Sequence, residues 1–261
     1  MVGDEPIRRH SSSYVTISVV EDALQIAGLT RRPLAWLCGI TGLLAYNWWV
    51  IVPFKRGLMR SPNELFSNLE VSGQPYAIAM QRADIAAGVL LLLALLLTGR
   101  RAVPGDRREW LGMVVFAMAG VIGGLFPQVC ADGINHGCLS AEWHFQLAAS
   151  QYVHDGAGVI EFAGITLALW LATKRTRGDR TLTARGYKIL GLAALIGYPV
   201  LGVSYLLDTY GGIVEAMFFA GFTAMVLLQL AERLHRHELS PDPDPGTMSR
   251  WEQIAGQAAP Q

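Results

Sequence analysis

Six ionisable residues stand inside otherwise apolar stretches of this 261-residue chain: Arg82, Asp84, His154, Asp155, Glu161 and Glu215. Charge is costly in hydrocarbon, so residues of these types mark a bundle interior or a hydrated site. Their side chains admit three kinds of chemistry. Carboxylates hold cations or carry protons, an imidazole beside a carboxylate serves as a general base, and His154, Asp155 and Asp84 are candidate metal ligands. His154 and Glu161 are seven residues apart, almost two helical turns, and so project from nearly one face; Asp155 lies about 100° round from His154. Arg82 and Asp84 are two apart and point to nearly opposite sides of their helix. Arg82 is therefore expected to pair with Asp155, Glu161 or Glu215 on another helix, because an unpaired Arg at that depth is expensive.

The elements that must position these residues follow from composition. With 52% hydrophobic and 16% charged residues, the chain is too apolar for an ordinary soluble domain of its length. Six stretches reach the roughly 20 residues that a helix needs to cross a bilayer. They are Leu34 to Val52, Ile78 to Leu97, Trp110 to Leu125, Tyr152 to Ala172, Tyr187 to Leu207 and Gly212 to Leu230. The expected fold is all-α, an up-and-down bundle of six transmembrane helices (34–231), preceded by an N-terminal segment (1–33) and followed by a disordered tail (232–261).

Basic residues are sorted by side. Arg8, Arg9, Arg31, Arg32, Arg100, Arg101, Arg107, Arg108, Lys174, Arg175, Arg177, Arg180, Arg185, Arg233 and Arg236 fall on one side, and only Lys55, Arg56 and Arg60 on the other. The positive-inside rule puts both termini in the cytoplasm of a plasma-membrane protein. Trp36, Trp110, Trp170 and Tyr187 then mark the inner interface, and Trp48, Trp49, Tyr152 and Tyr205 the outer one. These six residues fall in the outer half, as a polar chamber opening outward, while Lys188 stands at the inner end of the fifth span. The balanced net charge carries no nucleic-acid footprint. No small-residue cleavage pattern follows the first apolar run, so that span is expected to persist in the mature protein.

The connections carry further expectations. Ser18 and Glu21 have capping-box spacing for a short helix over Val19 to Ala27, and Ser61-Pro62-Asn63-Glu64 starts another that runs to about Leu69. The loop after the third span contains Cys130, Asp132, His136, Cys138 and His144. In an oxidising compartment Cys130 and Cys138 form a disulfide; the alternative is a metal on Cys130, Asp132, His136 and Cys138. Gly156, Ala157 and Gly158 suit close approach of a neighbouring helix, as do Gly120 and Gly124, within a monomer or between copies in a homo-oligomer. Cys38 reads as a small packed hydrophobe. Asn47 either lines the chamber or bonds across to a neighbouring helix. Pro199 interrupts the fifth span, and Asp208 sits at its outer turn.

Three functions fit this polar set. The first is a chamber that binds a small or lipidic ligand, with no cofactor required. The second is a metal-dependent membrane hydrolase using a divalent metal at His154, and the third a structural or partner-binding subunit. No His-Glu-x-x-His or Gly-x-Ser-x-Gly motif supports the second.

Phe126-Pro127 closing the third span, Cys130 and a second Cys in the loop, His154 opening the fourth span and Gly73-Gln74-Pro75 ahead of the second form a pattern. From Leu34 to Leu230 that pattern resembles the bacterial six-span membrane family catalogued as domain of unknown function 998. The resemblance implies a polytopic plasma-membrane protein and assigns no catalytic residue. A looser similarity to metal-dependent intramembrane hydrolases rests on fold-level analogy, and this chain lacks their His-x-x-x-His pair.

Overall fold

The computed structural model describes residues 31–56, 65–98, 107–131, 135, 137–207 and 209–239, with backbone alone at 48–56, 205, 206 and 236–239. Among these residues all regular structure is helical. The helices are α1 (Arg31–Arg56), α2 (Ala77–Thr98), α3 (Arg107–Leu125), the short α4 (Cys138–Trp143), α5 (Ala149–Arg175), α6 (Leu182–Leu206) and α7 (Gly211–Leu239). A 3-10 turn, Phe66–Glu70, precedes α2. Five helices, α2, α3, α5, α6 and α7, are long and apolar enough to cross a membrane. The first expected span corresponds to α1, which packs along α2 and touches α7.

Several helices outrun the expected apolar spans. α3 starts at Arg107 instead of Trp110, α5 runs on to Arg175, and α7 continues to Leu239, past Leu230 and into the segment expected to be a tail. Backbone hydrogen bonding does not stop where the apolar run stops, and the extended ends are held by charge. Arg175 forks onto two carboxylates at once: Nε and Nη2 donate to Glu109 at 2.8 and 3.1 Å, while Nη1 and Nη2 donate to Glu232 at 2.8 Å each. Tyr187 donates to Glu232 at 2.7 Å, and Gln229 to Glu109 at 3.4 Å. One half-buried network thus ties α3, α5, α6 and α7 together at the end of the bundle that carries the basic residues. The expected helix over Val19 to Ala27, the Ser61–Glu64 start, Asp208 and everything beyond 239 lie outside the described residues.

Packing follows the order α1, α2, α3, α5, α6 and α7, with α7 returning to α1 and α2. In lipid, helices associate by close van der Waals fit, which small residues permit. At the α3–α5 crossing, Gly112 and Gly164 face each other so closely that a Cβ on Gly112 would stand 2.7 Å from the Gly164 carbonyl oxygen. Gly124 likewise lies against the backbone of α2 at Gln81, so the expected glycine face of α3 serves within the chain. The expectation for α5 needs correction: nothing stands within 4 Å of a Cβ on Gly156 or Gly158, and Ala157 between them is the buried residue. The close approach occurs two turns further along, at Gly164.

The core at the level of Tyr46, Phe116, Phe219 and Phe222 is aromatic, with ring centroids 5.0 to 5.9 Å apart in edge and tilted contacts. Cys38 is a free, buried thiol packed with Ala35, Ala94, Leu230 and Leu234, as expected of a small hydrophobe. Asn47 donates to the Leu43 carbonyl of its own helix and across the bundle to Thr223 Oγ1 of α7, both at 2.8 Å. α6 stays helical through Pro199 and exposes Ile189, Leu192, Leu195, Ile196, Val200 and Val203, a face suited to lipid.

Candidate functional site

At the end of the bundle opposite the Arg175 network, four carboxyls converge from four elements. Asp84 comes from α2, Glu161 from α5, Glu215 from α7 and Glu70 from the 3-10 turn. Tyr46 of α1 stands among them: it hydrogen-bonds Glu161 and lies within electrostatic range of Asp84 and Glu215. Glu70 and Asp84 share a side-chain hydrogen bond, which requires that one carboxyl of the pair hold a proton and donate it. Burial pushes the Glu70 carboxyl well above the usual carboxylate range, and the neighbouring Asp84 raises it further. The second oxygen of Glu70, Oε2, is buried without a hydrogen-bond partner among the described residues.

Glu215 has a structural task as well. Its carboxylate accepts the backbone N–H groups of Phe66 and Ser67, the latter at 3.4 Å, and so docks the 3-10 turn onto α7. That bond brings Glu70 over the site. The Glu70 carbonyl accepts from Gln81 Nε2 at 3.0 Å, which fixes the other end of the turn to α2.

The loop after α3 closes the same end. Cys130 and Cys138 form a disulfide with their Cα atoms 5.7 Å apart. This corrects the alternative of a metal held by thiolates of the loop, because both sulfurs are spent; Asp132 and His136 lie outside the described residues. Gln151, buried at the start of α5, accepts the backbone N–H of Val129 at 2.9 Å and of Cys130 at 3.1 Å while donating to Asp155. His154 Nδ1 donates to the carbonyls of Gly123 and Phe126, both at 3.1 Å, and so pins the end of α3 to α5.

These residues enclose a cavity of about 1150 Å³. Asp84, His154, Asp155, Glu161 and Glu215 all line it, as do Glu70, Gln128, Gln151, Tyr46, Phe162, Tyr198 and Phe219. Along α5 the lining runs from Gln151 to Thr166, a depth of about 22 Å at 1.5 Å per residue. The upper part is acidic. At the floor, Tyr198 bonds to Thr166 and donates to the Phe162 carbonyl at 3.1 Å, beside a stack of Phe162, Phe218 and Phe222. No Lys or Arg lines the cavity among the described residues.

Arg82 is the residue that sequence reasoning misplaced. It is exposed and does not line the cavity, so the expected pairing with Asp155, Glu161 or Glu215 is not made. Two-residue spacing did separate it from Asp84, but the side that faces away from the site is open and gives the guanidinium room outside the bundle. The candidate metal ligands also fail to meet: among the described residues no three of His, Cys, Asp or Glu converge as a metal-holding group. Sequence reasoning missed Glu70, Tyr46, Gln128 and Gln151. Glu70 carried no signal, since it lies in a connection, while the buried amides fall in stretches rich enough in polar residues to pass unnoticed.

Comparison with known proteins places the chain in one family. The family model described as "Protein of unknown function (DUF998)" matches residues 40–232, so the chain belongs to that family. No curated protein and no solved structure matches it.

Proposed function

We propose that this member of the DUF998 family is a multi-pass protein of the plasma membrane whose outward-facing chamber binds a small or lipidic ligand. The observation that carries the reading is the cavity of about 1150 Å³ lined by Glu70, Asp84, Glu161 and Glu215 at one end of the bundle. Buried carboxyls are costly in a membrane bundle, and their clustering around a cavity supports a ligand site. In this reading α1 is the sixth span. Both termini then lie on the side of Arg31, Arg107, Lys174, Arg177 and Arg185, which the positive-inside rule assigns to the cytoplasm. The chamber, at the other end, faces out.

Access from outside is testable in intact cells. Single cysteines at Gly158→Cys and Ser204→Cys, both cavity-lining positions, should react with a membrane-impermeant thiol reagent without lysis. Native mass spectrometry of the gently extracted protein should then show a bound small molecule or lipid that Glu161→Gln reduces. Labelling only after lysis would overturn the outward orientation. A protein with no bound species in any preparation would overturn the ligand reading.

A further inference from the structure

The four carboxyls, the aromatic rings below them and the absence of any lining Lys or Arg among the described residues bear on what the chamber holds. Glu70 and Asp84 share a hydrogen bond, and Glu161 and Glu215 lie within electrostatic range of them, so the group repels once ionised and the repulsion is relieved by protons or by a cation. Two buried acceptors point to a missing donor or charge: Glu70 Oε2 and Gln128 Oε1 both belong to residues more than nine-tenths buried, both residues line the cavity, and neither atom has a partner among the described residues. Buried acceptors are seldom left unsatisfied in a folded protein unless something else bonds them. An inorganic divalent ion would need several ligands at one point, and the described residues form no such group.

The rings select among cations. Tyr46 and Phe219, 5.0 Å apart between centroids, stand beside Glu161 and Glu215, and Phe162 and Tyr198 continue the wall below. Ring faces attract ammonium groups that have shed part of their water, and they do so most where carboxylates stand near. The cavity is also long, acidic at the top and aromatic at the floor.

Resting on the outward-chamber reading above, we infer that the occupant is an organic ammonium compound, a small amine or quaternary ammonium with an apolar or aromatic tail. Its cationic head sits among Glu70, Asp84 and Glu161, and its tail lies against Phe162 and Tyr198.

The test uses the full chain in nanodiscs and three soluble probes of similar size: benzyltrimethylammonium, the neutral N-benzylacetamide and the anionic phenylmethanesulfonate. Binding is read by calorimetry and by thermal shift. The ammonium should bind at least about tenfold more tightly than either other probe, and Asp84→Asn with Glu161→Gln should remove that preference. Arg82→Gln, at an exposed position off the cavity, should leave it unchanged. Thermal shift without probe checks that each variant is folded. Because the double variant removes two buried charges and is at risk of misfolding, Phe162→Leu provides a second arm and should weaken the ammonium selectively. Equal binding of the neutral probe would overturn the ammonium assignment and leave the chamber reading intact. Saturable binding of calcium or magnesium with displacement of the ammonium would overturn it in favour of an inorganic ion. Failure of all three probes to bind would overturn the ammonium assignment, and the native mass spectrometry above then decides the chamber reading by itself.

Discussion

At the scale of single residues, the buried acid and base groups divide into those that build and those that wait. Glu215 holds the 3-10 turn, Gln151 and His154 hold the cysteine loop and the end of α3, and Arg175 satisfies Glu109 and Glu232 together. Glu70, by contrast, keeps an oxygen with no bond among the described residues. Its folded-state pKa is raised from the ordinary 4.5. Above that ordinary value the unfolded chain has released a proton that the folded chain retains, so stability from this group falls as pH rises until the folded carboxyl also ionises. Glu70→Gln, which cannot ionise, should flatten that decline. Melting curves from pH 5 to 9 on both proteins check it, and an unchanged slope would count against a proton held at Glu70. At the opposite end, Arg175→Met would leave the buried Glu109 and the half-buried Glu232 without their shared cation. Breaking a buried pair in this way costs about 3–5 kcal/mol, measurable as a lowered melting temperature and easier unfolding in denaturing detergent.

At the scale of elements, the tightest joints are the ones that leave no room. A methyl group at Gly164 would meet the Gly112 carbonyl oxygen and the Phe116 amide nitrogen, each at 2.8 Å. Both are backbone atoms, so α3 and α5 must separate to admit it. Gly164→Ala should therefore destabilise by about 1–3 kcal/mol, whereas Gly158→Ala, with nothing within 4 Å, should be tolerated. The disulfide acts on the loop above. Replacing Cys130 and Cys138 by Ser frees a short loop that borders the cavity, and the expected loss is about 2–3 kcal/mol. The parent protein should resist thiol labelling at both positions until it is reduced. Labelling of both without reductant would show that the bridge is not formed in the cell. His154 and Gln151 still tether that loop, so the variant should remain folded.

At the scale of the whole molecule, one end of the bundle is basic and locked while the other is acidic and open. Membrane orientation turns on that polarity. A fluorescent protein fused after residue 239 should be bright, and an alkaline phosphatase fused there inactive, if that end of the chain lies in the cytoplasm; an active phosphatase would place it on the opposite side and overturn the proposed orientation. Much of this was legible in the amino-acid sequence. Apolar length, sorted positive charge, the seven-residue step from His154 to Glu161 and the pairing of Cys130 with Cys138 are local or additive properties, so no partner helix is needed to read them. Rotation and neighbour choice are different. In a membrane both the lipid-facing and the core-facing sides of a helix are apolar, so periodicity hardly marks which side is which. Only the assembled bundle could decide that Arg82 turns away from the acids it was expected to meet. The bundle also brings Glu70 in from a connection, through Glu215, and joins three helix ends beyond the apolar spans through Arg175. The sequence alone determined a membrane bundle with acidic residues toward one end; the tertiary structure decided which of them share a cavity, because that depends on how helices turn toward one another and not on what each contains.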